Sequence, residues 1–377
     1  MNAWPPRSLA QWCALLIGVA ALVACLLLGL WRQPKQALLP YLFAFLFFTG
    51  LSIGSLALLM IHAITGGAWG DCIRPQLLAA ARMLPLMALA VIPVLLCLRV
   101  LYDWNAPATL AHHLQARQQA WYLDPTFFVI RTVVYFALWI GWLIAFTRKM
   151  DDRVLARRIA APGLIVFGVT SLLASVDWAV SLTPHWHSSI FGMMVGTGWL
   201  LGACALATAV AAWPRETDAA IEPGVLHDLG NLLLMFVLAW SYLAFMQYLT
   251  IWIADLPDEN AWYIPRTLTS WRYLAWFLIA FNFALPFAVL LSRAAKRHRA
   301  WLRAIAVMLV VANFADAFWL IVPGFRAGGF ALRWTDLAAP LGLGALWWCG
   351  WTGQLRWARG MSRQTATAED GLEHSHG

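Results

Sequence analysis

Residues 127–147 read FFVIRTVVYFALWIGWLIAFT, and Arg148 and Lys149 follow directly. A bilayer's hydrocarbon core is crossed by about 20 apolar residues in a helix, so this run with its single charge, Arg131, predicts one membrane span. Working outward in both directions, runs of the same kind recur. They give ten expected spans at about 11–31, 39–62, 78–99, 127–147, 162–183, 189–213, 229–253, 271–292, 301–323 and 335–352. The composition of the 377-residue chain agrees: 62% of residues are apolar and only 12% charged, where a soluble domain carries about 25% charged residues. A water-soluble enzyme with a membrane anchor is excluded. The 24 Trp and 20 Phe suit aromatic belts at the headgroup level. The expected fold class is therefore all-α integral membrane. Residues 1–352 form one polytopic domain, and 353–377 form a polar, disordered cytoplasmic tail. Arg7 precedes a long apolar run without a small-residue cleavage site, so the first span reads as retained rather than as a signal peptide.

Charge placement sets the orientation. Basic residues cluster at 148–158 and 293–303, with others at 7, 74, 82, 215 and 356–363; the loops on the other side carry fewer. The positive-inside rule then puts both termini in the cytoplasm. The net charge of +8 is accounted for by these loops and implies no nucleic-acid partner. The six cysteines include no CxxC, no CxxCH and no four-Cys cluster, so covalent haem c, structural zinc and iron–sulfur centres are not expected, and no metal site is assigned. Two loops on the outer side, 102–126 and 254–270, are long and rich in aromatic and polar residues, which suits docking or an interfacial helix.

Polar side chains inside spans are costly, about 2.5–3.5 kcal/mol for a charge at the helix centre, so each is a functional candidate. Arg131 lies near the outer face, with a stem long enough to snorkel to the headgroups. Asp177 has no such reach and needs a partner, water or a proton. Asp316 is deep in the ninth span with Asn313 three residues earlier on the same helical face. Asn282 and Pro286 interrupt the eighth. His185 and His187 stand at the outer end of the fifth span; at i, i+2 they do not share a face, and the other histidine near a span, His62, lies at the opposite end. Haem b is therefore not expected. A histidine there suits proton exchange instead, because its pKa lies close to neutral.

Four segments carry a family resemblance: YLDPTFFVIR at 122–131, SVDWAVSLTPHWHSSIFG at 175–192, HDLGNLLLMFVLAWSYLAFMQYLTIWIADLPDENAWYIPR at 227–266, and LPFAVLLSRAAK at 285–296 ahead of WLIVP. Together, from about Trp69 to Phe325, the chain resembles the F-type membrane subunit of bacterial alternative complex III, a quinol:electron-acceptor oxidoreductase within the wider polysulfide-reductase-type (NrfD-like) superfamily. It departs from that pattern at Thr183, where an acidic residue often precedes PHW, and at Pro75 after Arg74.

The resemblance implies ten helices arranged as two four-helix bundles plus two flanking helices, in a bacterial inner membrane. It implies a non-cofactor-bearing subunit rather than an enzyme alone, with no covalently bound cofactor and with quinone or quinol as the ligand. Partners would be iron–sulfur and haem c subunits, with a haem–copper oxidase as a further one. Carried over position by position, it points to Asp177, His185, Arg131, Asp228 and Gln247; Asp316 and Asn313 join them as candidates for a proton path or quinol pocket. Two readings from other classes stay open: a proton-coupled secondary transporter, and a scaffold or assembly subunit of a terminal oxidase.

Overall fold

The computed structural model describes residues 9–32, 34–105, 121–183, 186–213, 221–326 and 328–373, and among these there is no strand. Ten long helical segments follow one another as hairpins. They are α1 (Leu9–Arg32), α2 (Pro34–Thr65), α3 (Ala68–Ala81, Leu84–Ala90 and Ile92–Leu96 in succession), α4 (Pro125–Thr147), α5 (Arg153–Trp178), α6 (Phe191–Ala211), α7 (Pro223–Ala254), α8 (Arg272–Leu291), α9 (Arg299–Ile321) and α10 (Trp334–Glu373). The segments α2 to α9 are each long and apolar enough to cross a bilayer. The chain is an all-α, multi-pass membrane protein. The expected spans at 11–31 and 335–352 fall in α1 and α10, which pack along one another beside α2.

Local chemistry explains the ends and the breaks. Asp124 caps α4 by accepting from the Phe127 amide at 2.9 Å, with Pro125 at the first helical position; Asp152 caps α5 through the amides of Val154 and Leu155. Pro85 and Pro93 lack the N–H that would continue a helix, and each sits where a new segment of α3 begins. In α8, Pro286 cannot donate to the carbonyl four residues back, that of Asn282, and the helix widens into a π turn over Ile279–Ala284. Gly66 and Gly67 turn the chain between α2 and α3 with φ of +71° and +99°, values that side chains resist. That two-residue turn begins α3 ten residues earlier than the expected span at 78–99.

Packing resolves the helices into two rings of four. In the first, α2 packs on α3 and α5, and α4 on α3 and α5. In the second, α6 packs on α7 and α9, and α8 on α7 and α9. The helices α2 and α6 join the rings, and α1 with α10 flank them. Of the most apolar stretch of α2, 94% is buried, against 22% for α8, so α2 is the axis and α8 a lipid-facing edge. Lipid tails supply no hydrophobic drive between helices, so close backbone approach does the work. At Gly50 and Gly54 of α2 the surface is flat enough to receive Trp199 of α6, and a Cβ at Gly54 would overlap the Trp199 backbone carbonyl. Gly54→Val is expected to destabilise the junction by about 1–3 kcal/mol. Folded yield and the thermal midpoint in mild detergent measure this, with Gly141→Val, which meets open space, as the control.

The C-terminal segment follows directly on the last apolar helix. Helix α10 continues through residues 353–373 to Glu373. Ala, Gln, Arg and Glu are good helix formers, and extending an existing helix avoids the cost of nucleation. Residues 374–377 lie outside the described part.

Candidate functional site

The first buried acid belongs to α5. Asp177 is fully buried, and its carboxylate accepts three hydrogen bonds. Arg131 donates from Nε at 2.9 Å and from Nη2 at 2.8 Å, and Tyr135 donates its hydroxyl at 2.7 Å. Arg131 and Tyr135 are both on α4, one turn apart, so a single helix face meets the acid. Arg131 also donates Nη1 to the Tyr122 carbonyl at 2.9 Å, and its guanidinium lies 3.9 Å from the Tyr122 ring centroid and 4.3 Å from that of Phe127. Snorkelling of Arg131 to the outer headgroups is thus overturned: its side chain turns inward, because a carboxylate 2.8 Å away is a better partner than a distant headgroup. Further links clamp the same two helices, Trp139 Nε1 to Thr170 at 2.8 Å and Trp178 Nε1 to Thr132 at 3.3 Å. The pair is net neutral and saturated with donors. Those are the properties of a structural bolt.

The second buried acid has a different setting. Asp316, on α9, is 5% exposed and accepts from Trp240 Nε1 of α7 at 3.2 Å. No basic side chain forms an ion pair with it among the described residues. One turn back, Asn313 donates Nδ2 to the Gly198 carbonyl of α6 at 2.9 Å, and a Cβ at Gly202 would come within 2.5 Å of Asn313 Oδ1. The glycines of α6 thereby make room for a polar side chain between α6 and α9. Asp316 stands five residues before the end of α9, about 8 Å of rise from it. Asn282, in the π turn of α8, is fully buried with neither side-chain polar atom hydrogen-bonded. An unsatisfied buried amide costs about 1–3 kcal/mol and marks a position where a water or a moving proton has something to bind.

The remaining sequence candidates separate from these two. Gln247 of α7 is 2% exposed and accepts from Ser188, whose hydroxyl also receives the amides of Ile190 and Phe191, so Gln247 anchors the turn that starts α6. Asp228 lies at the far end of α7, its carboxylate half exposed and 3.7 Å from His227. Nearby, Lys296 donates to Asn231 at 2.6 Å. His185 lies outside the described residues; His187 borders a cavity of about 240 Å³ with Val176, Val180, Ser188 and Ser189. Among the described residues, no three His, Cys, Asp or Glu side chains gather as metal ligands.

Three contributors escaped the sequence reading. Tyr135 and Trp240 complete the shells of the two acids, and each is one aromatic residue among many in a span. Arg266, counted as an outer-loop charge, is 2% exposed and donates to the carbonyls of Trp262 at 2.7 Å, Leu320 at 2.8 Å and Trp319 at 3.3 Å, stacked 3.5 Å from the Trp262 ring centroid. It caps the end of α9, where a cation suits both the free carbonyls and the helix dipole. Burial pushes its pKa down, to about 9, and it remains a cation at neutral pH. Arg266→Gln is expected to lower stability by about 1.5–3 kcal/mol, read as a drop in the thermal midpoint, with Arg272→Gln on the exposed face near neutral.

A signal for the paired acids does exist in the chain: Asp177 and Asp316 each stand seven residues before a proline, Pro184 and Pro323, and each is on the last helix of its four-helix ring. The fold and its buried polar pairs define the class, a polytopic membrane protein of two four-helix rings with one buried acid in each among the described residues. The chain matches no protein-family profile, and no curated protein matches it.

Proposed function

We propose that this chain is an integral subunit of a respiratory quinol:electron-acceptor oxidoreductase in the bacterial inner membrane, both termini cytoplasmic, with its own part in moving protons. The observation that carries the proton role is Asp316: a carboxyl group buried between α7 and α9, held by one indole N–H and, among the described residues, by no cation. A carboxyl group so placed takes and gives up a proton without breaking an ion pair, whereas Asp177 is fixed by Arg131 and Tyr135. The motif resemblance around Asp177 and from His227 to Arg266 supports the family reading, and electrons then travel in partner subunits.

In this reading the quinol supplies electrons and protons when bound, and the chain's residues do three things. Trp240 orients the Asp316 carboxyl group; Asn313, anchored on α6, keeps the adjoining turn of α9 polar; Asn282 offers a further buried site where a proton-carrying water is stabilised. The apolar cavity beside His187 favours a second reading, in which quinol is held at this chain, since an imidazole at its edge suits proton exchange.

The deciding experiment is purification of the tagged protein from its native membranes in mild detergent, with mass spectrometry and a reduced-minus-oxidised spectrum of the eluate. Co-elution with iron–sulfur and haem c subunits, or with a haem–copper oxidase, is expected. A partnerless, haem-free protein overturns the subunit reading and leaves the transporter.

A further inference from the structure

At the basic end of the first ring, the ends of α2 and α4 and the starts of α3 and α5 surround a cavity of about 400 Å³. Leu59, Phe146 and Met150 line its apolar part, and Arg74, Arg153 and Arg157 its polar part. Two acids also border it, and both are engaged: Asp151 accepts from Arg74 at 3.0 Å, and Asp71 lies 3.8 Å from His62. That leaves Arg153 and Arg157, which share one face of α5 at i, i+4. Neither forms an ion pair among the described residues, and the single hydrogen bond of Arg157 is a long one to the Ala63 carbonyl at 3.5 Å.

Their position sharpens the point. Two cations in the first turns of a 26-residue helix oppose its dipole, which favours negative charge at that end. An anion in the cavity would relieve both the dipole mismatch and the repulsion between the two guanidinium groups. The apolar surface that leads away from the cavity gives the ligand's other half. Val154, Ile165 and Val169 are 62%, 69% and 52% exposed on α5, in a helical stripe that faces lipid.

We propose that this cavity binds the phosphate headgroup of an anionic glycerophospholipid, with its acyl chains lying along the α5 stripe. Arg153 and Arg157 hold the phosphate, and the Leu59–Phe146–Met150 floor receives the glycerol end. Basic pockets between membrane helices at headgroup level recognise lipids through this combination of charge and apolar groove.

The full-length protein, purified in mild detergent, is exposed to equal amounts of phosphatidylglycerol and phosphatidylcholine, and the retained lipid is quantified by native mass spectrometry. Separate samples receive each lipid or inorganic phosphate before thermal unfolding. The expected result is preferential retention of phosphatidylglycerol and a higher unfolding midpoint with that lipid alone. In the Arg153→Gln, Arg157→Gln double variant, its retention should fall roughly thirtyfold. Equal retention of both lipids in the unaltered protein overturns the proposal without recourse to any variant. So does a full midpoint shift with inorganic phosphate, which marks a free-anion site, or an unchanged preference in the double variant.

Discussion

Arg131→Leu is expected to lose about 3–5 kcal/mol of stability, because it strands the Asp177 carboxylate without its cation. Asp177 is fully buried, and two of its three hydrogen bonds come from the guanidinium. Tyr135 alone would remain to it. Asp177→Leu strands Arg131 in the same way, although Tyr122 and Phe127 still offer their ring faces to the guanidinium. The double variant, Arg131→Leu with Asp177→Leu, removes both charges and should recover most of the loss, since a buried ion pair is frequently no better than an apolar pair of similar volume. A double-mutant cycle on the thermal midpoint, or on the folded fraction by size exclusion, measures the coupling. Single variants as stable as the unaltered protein but inactive would refute a structural bolt and return Asp177 to the proton path.

Asp316→Asn should do the reverse, leaving the fold standing while removing the function. Asn has the same shape, and its Oδ1 still accepts from Trp240 Nε1, so stability should change by no more than about 1 kcal/mol. What disappears is the group that binds and releases a proton, and turnover or proton release should fall by about 10²–10⁴-fold if that transfer limits the reaction. Complex yield and haem content serve as the readout for assembly. Trp240→Phe separates orientation from proton carriage: the carboxyl group stays, and loss of one hydrogen bond should cost a small part of the rate. Full activity in Asp316→Asn would overturn the relay and favour a scaffold. Lost uptake of a solute with unimpaired respiration would favour a transporter.

The two substitutions probe chemically identical side chains at related places, seven residues before a proline on the last helix of each ring. Their difference comes from the neighbouring helix. Helix α4 presents Arg131 and Tyr135 to the first acid. In the second ring the indole of Trp240 comes from α7, and α8 contributes a π turn with the unsatisfied Asn282.

What the sequence by itself determined is the class and the element count. A bilayer offers no water to backbone amides, so each crossing must be a helix of a length fixed by the hydrocarbon thickness, and that requirement is written locally in runs such as 127–147. The breaks are local as well: Pro85, Pro93 and Pro286 act on the carbonyls of their own turn. The partners of a buried charge are not local, and there the tertiary structure decided. Arg131 meets Asp177 across 46 residues, and Trp240 meets Asp316 across 76. Gln247 accepts from Ser188 across 59 residues. A charge in a span advertises its need for a partner, because burial without one is too costly; only the packing of one helix beside another supplies that partner, or withholds it.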